Sequence, residues 1–469
     1  MESIAHEGTA LLAQPALASS PRTPLPKFQL AIIMLVQVCE PLASQSIYPY
    51  INQLVSELDI TGGDEKKVGY YAGLESLFFL TEALTVLQWS RASDRVGRKP
   101  ILLLGLIGTS ISMLLFGLSR TFWALVASRC LTGLLNGNIG VMKSAMGDMT
   151  DPSNRAEGFA YIPVVWDAGA ALGPLVGGFL ACPHEHFPRW FSAQFWREFP
   201  YFLPCLATGG FVIATCVVVL VFFKEPIHSK KGDATATFPG EPTRSLSPQR
   251  SGPLPLRALL TFRVLISIAN YVGVAFLYIT LSALLPLFLA MPIPIGGVGL
   301  PPAKIGLVLS AYSAATALFQ ICFCARLIQR FGATRVFIGG ISTSVLVFAL
   351  FPVMSVIAKR DGVTPVVWVL IACVLGLGAL LDTAFAAIFM FLTVAAPASS
   401  RGTVNGLAQT VVSAAKAFGP ALATSLFSLS VEKNLLNGYA VYAILIGISL
   451  LALVVGNQLP AEVWEEADQ

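Results

Sequence analysis

The stretch Asp94-Arg95-Val96-Gly97-Arg98-Lys99-Pro100 gathers charge of both signs around one glycine, and apolar runs at 68–90 and 99–119 lie on either side of it. Each run reaches the roughly 20 residues that an apolar helix needs to cross a bilayer. A charged turn bracketed in this way marks a place where a chain leaves lipid and re-enters it. The rest of the sequence is read outward from that turn.

Of 469 residues, 55% are hydrophobic and only 12% are charged, and the mean hydropathy is +0.72. A soluble domain carries about a quarter charged residues. A spanning β-barrel would alternate in segments of about ten residues, whereas apolar runs recur here almost without a break, so the expected class is an all-α membrane protein. Twelve candidate spans follow: 28–50, 68–90, 99–119, 121–143, 156–181, 201–223, 258–290, 303–327, 333–357, 364–394, 402–428 and 437–459.

Short cytoplasmic loops are enriched in Lys and Arg. Arg91, Arg95, Arg98 and Lys99 follow span two, Arg155 follows span four, six basic residues from Lys224 to Arg257 follow span six, and Arg326, Arg330 and Arg335 surround the junction of spans eight and nine. The opposite loops hold fewer, so both termini are expected in the cytoplasm. Residues 1–27 lack an apolar core followed by a small-residue cleavage site and read as a disordered tail, not a signal peptide. Residues 460–469 form a short acidic tail.

The longest connection, 224–257, is rich in Pro, Ser, Thr, Gly and Lys. That composition cannot bury a core, so a flexible linker is expected, with Ser245 and Ser247 as weak candidates for phosphorylation. It separates an N-terminal half, 28–223, from a C-terminal half, 258–459. The halves echo one another. Lys67-Val68-Gly69 opens span two as Lys304-Ile305-Gly306 opens span eight, and Arg155 precedes Gly173-Pro174 at the spacing by which Arg401 precedes Gly419-Pro420. The expected architecture is twelve transmembrane helices in two pseudo-symmetric six-helix halves. Parallel repeats of this kind are a transporter architecture whose substrate site lies near the midplane between the halves.

The opening turn also carries a family resemblance. Ser90-x-x-x-Asp94-Arg95-x-Gly97-Arg98-Lys99 resembles the loop signature of the major facilitator superfamily, with Ser90 where that signature has Gly. The resemblance implies a cytoplasmic gate of Asp94, Arg95, Gly97 and Arg98 that latches the halves when the carrier faces outward. A physical partner is at hand, because span eleven begins near Arg401-Gly402-Thr403 and its N-terminal dipole would attract Asp94. The alternative is that these charges only enforce topology.

Span five contains Gly169-x-x-x-Gly173-Pro174-x-x-Gly177-Gly178. Glycines at this spacing share a helix face and let backbones approach closely, and a proline kinks the helix. The pattern resembles the span-five signature of the superfamily's antiporter branches, chiefly drug:proton exporters. Cys39-Glu40-Pro41, Tyr71-Ala72-Gly73-Leu74-Glu75-Ser76 and the Asp94 loop look more specifically like a fungal group of such antiporters, related to tetracycline exporters and plant zinc-induced facilitators. The resemblance covers residues 28 to 459 apart from the linker.

Ionisable groups within a membrane are costly and usually functional. Glu40 interrupts span one, and Arg129 interrupts span four in Arg129-x-x-x-Gly133, which resembles a span-four motif of proton-coupled exporters. They lie roughly 15 Å and 12 Å from the outer ends of their spans at 1.5 Å per residue. A Glu40–Arg129 pair is therefore expected, either exchanging a proton for substrate or tying two helices permanently. Glu75 and Glu82 share one face of span two, and Glu82 is the deeper. Asp167 in span five, Asp382 in span ten and Lys416 in span eleven complete the set, with Asp382 and Lys416 at comparable heights. Substrate or proton binding and interhelical pairing are both open for these.

Cys182, His184 and His186 form a His-x-His cluster that can chelate zinc if its loop bends suitably, although a plain polar loop is the simpler reading and no metal site is assigned. The eight cysteines follow no zinc or disulfide spacing. Trp89, Trp123, Trp190 and Trp196 fall near expected interfaces, where indoles anchor. With no Gly-x-x-x-x-Gly-Lys-Ser/Thr loop and no catalytic triad, neither a nucleotide, another cofactor nor an enzyme is expected, and the net charge of +4 does not call for nucleic acid.

The expected protein is a monomeric, multi-pass transporter of the plasma or vacuolar membrane that exports small organic molecules or drugs in exchange for protons. A nutrient symporter or uniporter, or a non-transporting receptor on the same fold, are the alternatives. The partners are the substrate, protons and the lipid bilayer.

Overall fold

The computed structural model describes residues 25–150, 155–225, 260–395, 401–461 and 464. The expectations for residues 1–24, for most of the linker and for nearly all of the acidic tail lie outside the described residues.

The described chain is almost wholly helical and contains no strand. Span one is Lys27–Gln45, continued after a turn by Ile51–Glu57; span two is Val68–Ala72 and Glu75–Val96; span three is Arg98–Gly117. Span four is Phe122–Leu135 and Asn138–Met149, span five Arg155–Leu180 and span six Phe202–Phe222. In the second half, span seven is Phe262–Ala290, eight is Pro302–Phe319 with a wide turn at Gln320–Cys324 and then Ala325–Phe331, nine is Ala333–Asp361, ten is Pro365–Val394, eleven is Arg401–Glu432 and twelve is Ala440–Gly456. Eight of these helices are long and apolar enough to cross a membrane unaided. The remainder are broken, short or charged: span four stops at Asn136-Gly137 and span two at Gly73-Leu74.

Local signals account for the ends. Thr121 and Thr261 cap spans four and seven, their hydroxyls accepting from the N–H groups of Ala124 and Val264. Pro302 and Pro365 occupy the first helical turn of spans eight and ten, where a missing N–H costs nothing. Gly97 joins spans two and three at φ 111°, ψ 162°, and Gly332 joins spans eight and nine at φ 83°, ψ 154°. Side chains are excluded from that region of backbone space. Equivalent junctions thus use the same device, and the repeat extends from sequence to backbone.

Span five lies between span one of its own half and span eight of the other, while span eleven lies between spans seven and two. The two inter-half contacts, five with eight and eleven with two, exchange under the repeat, as a pseudo-two-fold axis requires. Buried aromatics such as Phe288, Phe351 and Tyr442 fill the C-terminal half, with Phe351 and Tyr442 stacked at 5.3 Å.

The halves touch at the end of the bundle remote from Gly97, here called the far face. A methyl group on Gly69 would collide with Thr424 O, and one on Gly73 would lie 2.7 Å from Ala421 Cα. Tyr70 donates its hydroxyl hydrogen to Glu432 at 2.7 Å. Pro420 has no N–H for the ladder of span eleven, and beside it the Ala421 N–H donates to Ser76 Oγ of the other half at 2.9 Å.

Candidate functional site

At the Gly97 turn, Glu225, just past span six, accepts hydrogen bonds from the backbone N–H groups of Arg98 and, at 3.1 Å, Lys99. Those are the first donors of span three, which otherwise lack helical partners, and a carboxylate there also meets the positive end of the helix dipole. Lys99 Nζ donates to Phe223 O at 2.9 Å, and Arg98 is buried with Nη1 2.6 Å from Ser93 Oγ. Arg95 is exposed. The turn is therefore fastened within its own half by a residue that the sequence reading did not select. The side chains of Ser90, Asp94, Arg401, Gly402 and Thr403 lie outside the described residues.

The span-five glycines form two seams. Gly169, Gly173 and Gly177 face span one: added methyl groups would come 2.6 Å from Pro41 Cγ at Gly169 and 2.9 Å from Leu42 O at Gly173, and would strike Ser46 O at Gly177. Gly178 faces the other half, with Pro302 O at 2.6 Å and Gly306 Cα at 3.0 Å from such a group. The helix runs on past Pro174 to Leu180, although Pro174 itself has no N–H to give to its ladder. The motif thus sets how closely span five approaches both neighbours.

The buried charges are arranged differently from the expected Glu40–Arg129 pair. Arg129 Nη1 lies 3.9 Å from Glu75 Oε1, with both side chains more than nine-tenths buried. The guanidinium sits 4.6 Å over the Phe116 ring and 3.7 Å from Met113 Sδ. Neither Glu75 oxygen nor Arg129 Nε has a hydrogen-bond partner among the described residues. Glu40 lines the same narrow cavity as Arg129, about 10 Å³ in volume, together with Met113, Thr132 and Asn136. Glu82 accepts from Asn136 Nδ2 at 3.0 Å.

Spans two and four hold this cluster together. Gly133 packs on Phe78 O and the Thr81 hydroxyl, so the glycine of the span-four motif brings Arg129 against span two. Where span four breaks, its last carbonyls need donors within the membrane. Trp89 Nε1 supplies one to Leu134 O at 2.7 Å, and Thr85 Oγ1 reaches Gly133 O at 3.3 Å. Trp89 therefore joins two helices as well as lying near an expected interface.

Between the halves a cavity of about 30 Å³ is lined by residues of both, among them Tyr48, Ala170, Tyr278 and Tyr312. Asp167 stands one turn from Ala170 and is half-buried. Asp382 is buried and accepts from the Tyr312 hydroxyl at 3.4 Å. The polar neighbour of Asp382 is thus a tyrosine of span eight, and Lys416 is half-buried.

On the far face, His186 Nδ1 lies 3.3 Å from Cys182 O, and His184 Nε2 lies 3.8 Å from Glu185. No group of three metal ligands occurs among the described residues. Burial, aided by Glu185 and Glu57, pushes the Cys182 thiol up to about 12.

A twelve-helix bundle of two related halves with charge buried along its axis is the architecture of a secondary transporter. The Major Facilitator Superfamily profile matches residues 33–293 and 288–462, and the chain belongs to that family. It is 30% identical to the major facilitator-type transporter psiT2 of Psilocybe cyanescens, over 91% of this chain and 89% of that protein. It is likewise 30% identical to the efflux pump azaK of Aspergillus niger, over 93% and 88%. Among solved structures, the fold matches a D-xylose-proton symporter with a TM-score of 0.69 at 13% identity, covering 94% of this chain and 98% of that one. These relatives are transporters, not enzymes.

Proposed function

We propose that the protein is a proton-coupled antiporter that exports small organic molecules from the cytoplasm by alternating access, with the Gly97 turn and both termini on the cytoplasmic side. The observation that carries this reading is the Glu75–Arg129 pair. Two opposite charges about 4 Å apart attract by about 4 kcal/mol at an effective dielectric near 20, while burying each ion costs several kcal/mol. Without hydrogen bonds to either Glu75 oxygen, the attraction does not offset the desolvation of both ions. A proton can then settle on Glu75 and release Arg129, and the shared cavity lets Glu40 take part in the transfer.

Three further features support export. The glycine pattern of span five resembles the antiporter signature at each defined position, two relatives of similar length are named an efflux pump and a multidrug transporter, and the far face is closed, as in a carrier that loads from the Gly97 side. The test uses protein reconstituted into liposomes and an imposed pH gradient. With the lumen acidic, a dye exported by cells expressing the protein should accumulate inside against its own gradient, and a protonophore should abolish the accumulation. Accumulation only with an alkaline lumen would establish symport and defeat the reading.

A further inference from the structure

Span nine turns one face away from the bundle along most of its length. Arg335, Gly339, Ser342, Leu346, Val353 and Val356 recur on that face and are all exposed, and in a chain that spans a membrane such a face meets lipid. We propose that the end of this face nearest Gly332 is a binding site for an acidic phospholipid, with Arg335 on the headgroup phosphate and an acyl chain in a groove over Gly339.

The groove has a volume of about 300 Å³ and lies between spans eight, nine and ten. Leu327 and Phe331 of span eight, Val336 of span nine and Leu380 of span ten give it apolar walls. Its shape comes from two adjacent glycines with different roles. Gly340 faces span ten, where an added methyl group would lie 3.0 Å from Leu380 O and 3.1 Å from Ala384 Cβ, so these two helices pack closely. Gly339 faces outward, and a methyl group there would meet nothing within 4 Å. The two hydroxyls of the lining donate within the protein, Thr343 to Leu377 O at 2.9 Å and Thr383 to Leu380 O at 2.7 Å. An occupant therefore meets no polar group that needs a partner inside the groove, which suits a hydrocarbon chain. From Arg335 to Leu346 the helix rises roughly 16 Å at 1.5 Å per residue, about half of a hydrocarbon core ~30 Å thick, and so spans one leaflet.

The mouth of the groove is basic. Arg335 lines it, and Arg326 and Arg330, each one position before a wall residue and on one face of the short helix that ends span eight, are exposed. None of the three has an ion pair among the described residues. A guanidinium presents a fork of donors that fits phosphate oxygens. Basic pockets between membrane helices take acidic headgroups on the cytoplasmic side, which is where the transport reading puts the Gly332 junction. The other half supplies a contrast. Counted from the junction glycines Gly97 and Gly332, Arg335 corresponds to Pro100, Gly339 to Leu104 and Gly340 to Gly105. Gly105 packs on Asn138 of span four as Gly340 packs on span ten, so the helix contact is kept. The guanidinium and the gap are not, and Leu104 is exposed where Gly339 leaves its groove open. A feature present in one repeat and absent from the other is not demanded by the fold.

Native mass spectrometry of the full-length protein in detergent, titrated with dioleoyl phosphatidylserine or dioleoyl phosphatidylcholine, tests the site without any transport. One molecule of the acidic lipid should bind at least tenfold more tightly than the zwitterionic one, and inorganic phosphate should not displace it. Arg335→Gln should weaken binding at least fivefold and Gly339→Leu, which installs the residue of the other half, at least tenfold, while Arg189→Gln on the far face binds like the native protein. Thermal melts without added lipid identify the folded variants, and Arg335→Gln, at an exposed position, serves where Gly339→Leu fails to fold. Native-like binding by either folded variant, equal binding of the two lipids, or displacement by phosphate overturns the proposal. So does lipid binding that emerges only after residues 462–469 are removed, which would make the acidic tail the occupant. Only the choice of leaflet rests on the transport reading: loss of pH-driven transport would defeat antiport and leave the lipid site standing, and loss of lipid selectivity would do the reverse.

Discussion

Arg129 and Glu75 face one another across 3.9 Å, each more than nine-tenths buried, with spans four and two drawn together by Gly133. Glu75→Gln keeps the shape of the side chain and removes its charge and its proton. Uphill accumulation in proteoliposomes should fall at least tenfold, while downhill exchange of the same dye should persist within about twofold. If both fall together, the pair serves structure and not coupling.

Gly177 offers the most severe test of the span-one seam. An added methyl group collides with the Ser46 carbonyl, and overpacking of this kind costs about 1–3 kcal/mol. Gly177→Ala should lower the melting temperature in detergent by several degrees. Gly210→Ala, with open space around it, should leave the temperature unchanged or raise it. Equal melting of the two variants would contradict the seam.

The carboxylate of Glu225 accepts from two N–H groups at the start of span three. Loss of such a cap costs about 0.5–2 kcal/mol. Glu225→Ala should destabilise the protein by that amount in a thermal melt, and Glu225→Asp, whose shorter arm must still reach past Gly97, should recover less than half of the loss.

Cys182 lies beyond span five, and its thiol is held up at about 12, mainly by burial. A raised thiol pKa means that the neutral form persists until the pH nears 12, and alkylation requires the thiolate. At pH 7.5, an impermeant maleimide should leave Cys182 unlabelled in the folded protein, as peptide mass analysis would show, and label it after denaturation. Rapid native labelling would mean that the loop opens.

Helix count, class and the division into halves were readable because they rest on composition and spacing. The same holds for the span-five glycines, since a four-residue period has a single geometric meaning on a helix. Partner choice among buried charges was harder. Depth matched Arg129 to Glu40, but depth alone does not say which helix is adjacent; Glu75 lies about seven residues into span two, or roughly 10 Å, at nearly the same level. Gly133 marks the face on which span four packs closely, and the structure puts span two against that face. Glu225 was missed for another reason. It follows span six at the edge of a polar linker, and nothing local shows that the chain folds back to the start of span three.

The contact between Gly178 and Gly306 brings backbone against backbone where spans five and eight of opposite halves cross. Interlocked side chains would have to withdraw and choose new rotamers each time the halves moved. Two bare glycine surfaces have nothing to withdraw, so the crossing can act as a smooth bearing. Wear at such a bearing would come from added bulk, and a single methyl group on either glycine should slow the cycle before it weakens cargo binding.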